Sequence, residues 1–288
     1  MNPEQYFQIN KLSSLHNGTS IFFCKTDYLE KDFKSIEKKK NFVILISGNS
    51  DFAIDKKIIK KAPKNIYKWY CQNAIEDNLK IEPIPIGLEN KYDSLRNGHG
   101  VSYFDRMSEK EYLLSNKKKL DTANGKLYAN FNILTNRQYR TKIKDVCVNI
   151  EYIDWDEPDL TIDEFYSRSI HYEAVICPAG NGIDTHRLWE MLYIGLVPIT
   201  FKVGDHKIYE LYNLLPIVIL DSEHDLYKKE DLFNKIENAK NKRDNIELLD
   251  INYWKNKILL DSEIAEKIHF KNLSFTDKLK NIFLNLTD

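Results

Sequence analysis

Residues 171–201 constrain the fold more than any other stretch. Ala174-Val175-Ile176-Cys177 is a short apolar run, the pattern of a buried strand. Pro178 to Asp184 holds two glycines and an asparagine, which makes it a loop. From Thr185 onward, Leu188, Met191, Leu192 and Gly195 recur at helical spacing, and Gly195 stands where a helix C-terminal glycine belongs. Val197-Pro-Ile-Thr-Phe201 reads as a second strand. Strand, loop, helix and strand in this order form a βαβ unit, and with it an α/β chain built on parallel sheet.

Such a unit suits a phosphate. Loop glycines let backbone N–H groups approach a ligand, and the new helix points its free N–H groups and positive dipole end at the same spot. Arg187 and Glu190 are three apart and share a helix face there. Arg187 suits phosphate oxygens and Glu190 suits ribose hydroxyls, the two halves of a nucleotide. A tight turn followed by a surface ion pair is the plainer reading of the same residues. The dinucleotide fingerprint is incomplete: Gly180-x-Gly182 is followed by Thr185 where a third small residue is required, and no acid ends the following strand. A nicotinamide or flavin is disfavoured, and no cofactor is expected.

The wording of the segment goes further. Cys177-Pro-x-Gly-Asn-Gly-x-Asp-Thr-His-Arg-Leu-Trp-Glu190, followed by Gly195-x-x-Pro-Ile199, resembles the donor-site segment of exostosin-like glycosyltransferases and their bacterial and viral relatives. The resemblance implies a GT-B fold, two Rossmann-like domains facing a cleft, with this segment holding a nucleotide-sugar in the C-terminal half. It implies a donor set of Pro178, Gly180, Asn181, Gly182, Asp184, Thr185, His186, Arg187 and Glu190. It also implies transfer with inversion.

The rest of the chain sets bounds. Its 288 residues suffice for two compact halves. With 42 basic and 43 acidic residues, nothing pulls it toward nucleic acid. Lys38–Lys40 and Lys117–Lys119 read as solvated helix faces. Cys24, Cys71, Cys147 and Cys177 are far apart and three lie in apolar runs, so they read as buried thiols rather than a zinc or disulfide set. No apolar run is long enough for a membrane span, and residues 1–20 are polar, without a signal-peptide core. A cytoplasmic setting is expected, unlike the Golgi-anchored exostosins of animals and plants.

In the N-terminal half, Ser20–Cys24, Phe42–Ile46, Ile66–Cys71 and Pro83–Ile86 read as strands, with a helix over Tyr28–Lys40. Polar groups follow the strands: Asn49, Ser50 and Asp51, then Gln72 and Asn73, then Glu89 and Asn90. In an open α/β sheet this is the ligand edge. Asn49-Ser-Asp51, Trp69–Asn73 and Pro83–Asn90 also resemble the N-terminal half of the same transferases. Asp51 is the first candidate for the general base, Glu89 the second and His16 a distant third; Asn49, Ser50 and Asn73 are candidate acceptor contacts. Residues 91–106 read as a surface loop with an acceptor role as the alternative, and residues 108–120 as a polar helix.

A boundary is placed near residue 125, giving an acceptor-side domain over 1–125, a donor domain over 126–260 and packing helices over 261–288. Leu127–Phe131, Glu151–Ile153, 173–177, 197–201 and Ile217–Leu220 read as five strands of a doubly wound half. Arg137 and Arg140 open a helix facing the cleft, and the resemblance favours Arg140 for the diphosphate. Asp205 and His206 are secondary candidates for sugar contacts. The Trp254, Ile258 and Leu259 face of the terminal helix reads as packing. No Asp-x-Asp pair of the metal-binding kind follows the donor strand, so no metal is expected. The expected reaction moves a sugar from a nucleotide-diphosphate sugar to a glycan or glycoconjugate hydroxyl; a non-catalytic nucleotide-binding module is the alternative.

Overall fold

The computed structural model describes residues 1–75, 78–91, 101–120 and 124–272. It is α/β with two larger parallel sheets. The first holds β1 (Ile21–Lys25), β2 (Val43–Gly48), β3 (Ile66–Cys71) and β4 (Ile81–Pro83), side by side in chain order. Helices α1 (Leu29–Glu37) and α2 (Lys56–Lys61) connect the first three strands. A short parallel pair, β5 (Asn90–Lys91) and β6 (Val101–Ser102), precedes α3 (Phe104–Asn116).

The second sheet holds β7 (Leu127–Ala129), β8 (Ile153–Trp155), β9 (Ala174–Ile176), β10 (Val197–Phe201) and β11 (Val218–Leu220). Their spatial order is β11-β10-β9-β7-β8, all parallel. The chain steps outward from β7 to β8, then returns past β7 to β9. That reversal opens a crevice beyond the carboxyl ends of β7 and β9, where open α/β sheets take their ligands. The connections are α4 (Arg137–Cys147), α5 (Ile162–Ser169), α6 (His186–Ile194) and α7 (Ile208–Tyr212); α8 (Lys229–Lys240) and α9 (Ile251–Asn272) follow.

Strand periodicity divides the apolar residues among three clusters. Val43 and Leu45 of β2 meet Phe33, Ile36 and Trp69 on one face. Ile44 and Ile46 face the other way, into a large cluster with Tyr70, Tyr128, Val175, Trp189 and Trp254. In the second sheet, Leu127, Ile176 and Ile199 join Ile143 of α4 and Ile236 of α8. The large cluster therefore belongs to both sheets. Helix α9 helps to close it: Ile251, Trp254, Ile258, Ser262 and Ala265 form a buried stripe at helical spacing. Beside this stripe, Asp261 accepts the Tyr70 hydroxyl and pairs with Lys68 at 3.2 Å, and Lys257 pairs with Glu82 at 2.6 Å. The terminal helix thus lies on the first sheet, and it starts at Ile251. Leu259 is exposed rather than packed.

Two other expectations shift. The fourth strand is 81–83, not 83–86, because Pro83 and Pro85 lack N–H groups and β4 is an edge strand where the ladder can end. Lys118 is no solvated charge: its ammonium donates to the Leu114 and Tyr193 carbonyls at 2.9 Å each. Residues 92–100 of the expected loop, 121–123 at the expected boundary, and 273–288 lie outside the described residues.

Candidate functional site

Helix α6 has the ends its sequence announces. Thr185 is extended at the N-cap, and Gly195 ends the helix with φ +87°, a left-handed geometry that glycine adopts without a Cβ penalty. Before it, the 178–184 loop is held by Arg140 of α4. The Arg140 guanidinium donates from Nε to the Ala179 carbonyl (2.9 Å), from Nη1 to Asn132 (2.8 Å) and from Nη2 to Pro178 (3.0 Å). Burial, and then the charge of Arg187, pull its pKa down to about 10, so it stays charged at neutral pH. Arg140 is a fastener of the glycine loop. Asn136 adds a bond to the Gly180 carbonyl at 2.9 Å.

A cavity of about 290 Å³ opens beside the N-terminus of α6, at the ends of β7 and β8. His186, Arg187 and Glu190 form one wall; Asn130, Phe131 and Asn132 form another; Thr161, Phe165 and Tyr166 close a third. Arg187 is fixed from three sides. Its Nη1 donates to the Asn130 carbonyl at 3.1 Å, its Nε lies 3.3 Å from Glu190, and its Cζ sits 3.6 Å over the Phe165 ring. Glu190 is buried. His186 Nδ1 meets the Gly87 carbonyl at 2.8 Å; a carbonyl only accepts, so Nδ1 carries the hydrogen.

The fourth wall comes from the N-terminal half, through Glu89, Arg106 and Lys110. Lys110 is 3% exposed and bridges two carboxylates, Glu89 at 2.5 Å and Glu190 at 2.7 Å. Burial works to discharge it, but the two carboxylates outweigh burial and hold its pKa above the ordinary lysine value. Burial likewise raises Glu89, yet Lys110 and His186 bring it down to about 2. A carboxylate so strongly acidic is a weak proton acceptor, so Glu89 does not fit the role of general base. It anchors Lys110 within the N-terminal half, and the Lys110–Glu190 bond ties the two halves together at the cavity.

Asp184 has a similar linking role. Its Oδ2 accepts the Ile86 N–H (2.7 Å), and Oδ1 accepts Trp189 Nε1–H (2.7 Å) and the Tyr212 hydroxyl (2.6 Å). Burial pushes its pKa up to about 6 against the pull of these three donors. Fully enclosed, it cannot touch a donor sugar. Asn49 is enclosed in an amide cluster with Asn10, Gln72 and Asn90, at φ +58°. Ser50 and Asn73 bind each other across β2 and β3, the Asn73 amide donating to the Ser50 carbonyl at 2.8 Å.

Asp51 and Asn73 meet the glycine loop directly. A Cβ added to Gly182 would stand 3.5 Å from Asp51 Oδ1 and 3.4 Å from Asn73 Oδ1. The two halves come close at this point. Asn181 is exposed beside it. Asp51 borders the loop but is not in the cavity wall. Asp205 and His206 line a different hollow, of about 410 Å³, with Lys202, Lys207 and Tyr209. It shares no lining residue with the cavity at α6. His16 donates no residue to either hollow; its Nδ1 accepts the Phe23 N–H.

Lys110, Tyr166, Phe165 and Arg106 were not legible as site residues. One signal for Lys110 existed: it occupies the apolar stripe of α3 with Met107, Glu111 and Leu114, an unusual place for a lysine. The sequence also holds an Asp-x-Asp at the end of β8, Asp154-Trp-Asp156, overlooked when only the donor strand is considered. Asp154 is engaged by Lys126 and Tyr172, and Asp156 by Tyr128 and Arg168. Among the described residues, no group of three or more His, Cys, Asp or Glu side chains is arranged to hold a metal. The four cysteines are free and buried, and no helix among the described residues is long and apolar enough to cross a membrane.

Compared with protein-family models and with curated proteins, the chain finds no match in either.

Proposed function

We propose that the protein is a glycosyltransferase of GT-B type that takes its sugar from a nucleoside-diphosphate donor. The observation that carries this reading is the cavity at the strand-order reversal, where one turn of α6 presents His186, Arg187 and Glu190 beside the Asn130–Asn132 backbone. In this reading, Glu190 accepts hydrogen bonds from the ribose diol. Arg187 and the free N–H groups of α6 stabilise the diphosphate as it leaves. The sugar projects toward Gly182, where Asp51 takes the proton from the acceptor hydroxyl. The new C–O bond forms at the anomeric carbon as its bond to the diphosphate breaks, on the opposite face. The positive groups at α6 support a metal-independent step. The four-stranded and five-stranded sheets are then the acceptor-side and donor-side domains.

Thermal denaturation with UDP, GDP and CDP, each with and without EDTA, tests the reading. A ligand at a hundred times its Kd adds about 2.7 kcal/mol to stability. One diphosphate should raise Tm in EDTA, and Arg187→Ala should remove the shift. Asp51→Asn should keep the shift and lower transfer or donor hydrolysis by roughly 10²–10⁴-fold. No shift with any of the three would count against a nucleotide site at α6. The engagement of Glu89 by Lys110 favours one second reading, a nucleotide-binding module without catalysis; nucleotide binding with no transfer and no effect of Asp51→Asn would decide for it.

A further inference from the structure

The cavity at α6 has unequal charge satisfaction. Lys110 is bound to Glu89 and Glu190, and Arg187 to Glu190 and the Asn130 carbonyl. Those four charged groups are already engaged with one another. Arg106 is the exception. It stands one helical turn before Lys110 on α3, it lines the same cavity, and it has no hydrogen bond or ion pair with any described residue. It therefore leaves the cavity with a surplus positive charge, placed on the wall opposite the sheet that carries α6.

A second group in the same cavity is unsatisfied. Tyr166 is 1% exposed, and its hydroxyl, beside Glu190, makes no well-formed hydrogen bond. That hydroxyl is shut off from the cavity space, so the group the cavity leaves open to a ligand is Arg106. The cavity thus asks for a ligand that is anionic where it meets Arg106.

Resting on the nucleotide reading above, we propose that Arg106 is the second cation of the diphosphate site, reaching the leaving group from the N-terminal half while Arg187 holds it from α6. A guanidinium suits this place because its planar fork can donate two parallel hydrogen bonds to phosphate oxygens. Binding a nucleoside diphosphate then joins the two halves through one more charged contact, alongside the Lys110 bridge. Arg106 contributes to holding the diphosphate and not the nucleoside.

The test is isothermal titration of wild type, Arg106→Ala, Arg106→Lys and Arg187→Ala with UDP, GDP and CDP, then with the matching nucleoside of the tightest binder, and with inorganic pyrophosphate as competitor. Arg106→Ala should weaken the diphosphate by about tenfold or more, the loss of a charge-assisted hydrogen bond. Nucleoside affinity should be unchanged, and pyrophosphate should compete less well against the variant. Arg106→Lys, which keeps the charge but not the fork, should fall between. Arg106 is exposed, so unchanged Tm of the free variants checks that folding is intact. Equal diphosphate affinity in wild type and Arg106→Ala overturns the assignment and leaves the nucleotide reading standing. Wild type that binds none of the three diphosphates overturns both.

Discussion

Two carboxylates at the junction of the sheets titrate in opposite directions, for different physical reasons. Glu89 sits against the Lys110 ammonium, which holds its pKa down to about 2 despite burial. Asp184 has only neutral donors, and burial lifts it to about 6. The folded state binds more protons at Asp184 than the unfolded chain does between about pH 4 and 6, so the Asp184 contribution falls as pH rises through that window and is flat above it. Glu89 has the reverse sign: its contribution is present above about pH 4.5 and is lost as pH falls toward 2. Urea midpoints measured across this range should show both slopes, and Asp184→Asn should flatten the upper one. The variant will be less stable at every pH, because an amide N–H meets one of the three donors; the slope is the readout. An unaltered slope in Asp184→Asn would place the titration elsewhere.

The elements that the sequence made legible were those whose ends are written locally. Helix α6 is bounded by Thr185 and Gly195, and α5 by a capping box in which Thr161 and Glu164 satisfy each other's backbone N–H groups. Gly195→Ala should cost about 1 kcal/mol, because alanine carries a Cβ penalty at φ +87°; an unchanged denaturation midpoint would show that the turn relaxes freely. Strand β2 was equally plain, an apolar run buried on both faces. The fourth strand slid because prolines blur where pairing stops. The site divided along the same line. Arg187 and Glu190 are near neighbours on one helix, so spacing alone put them together. Arg140 was singled out, but sequence does not say that three carbonyls would surround it. Lys110 and Arg106 come from α3, eighty residues upstream of Glu190 in the case of Lys110, and only the packing of α3 on α6 brings them to the cavity. Asp184 and Glu89 looked like free polar loop residues because burial of a loop side chain depends on what lands on it.

Across the whole molecule, the shared cluster of Ile44, Ile46, Tyr128, Trp189 and Trp254 makes the sheets depend on each other. The Lys110 bridge, the Asp184–Ile86 bond and the His186–Gly87 bond add polar ties between them. Heat unfolding should then be one cooperative event, with calorimetric and van't Hoff enthalpies in agreement; two resolved transitions would show that each sheet keeps a core of its own. The same cluster bears on how the protein is made. The first sheet leaves the ribosome early, yet α9 begins at Ile251, after the whole second sheet has been translated. At about 5–20 residues per second, the interval between Cys71 and Ile251 lasts on the order of ten to forty seconds. Throughout it, the face of Ile44, Ile46 and Tyr70 has no terminal helix to cover it. The nascent chain is therefore at its stickiest mid-synthesis, and the yield of soluble protein depends on what shields that face before the last helix arrives.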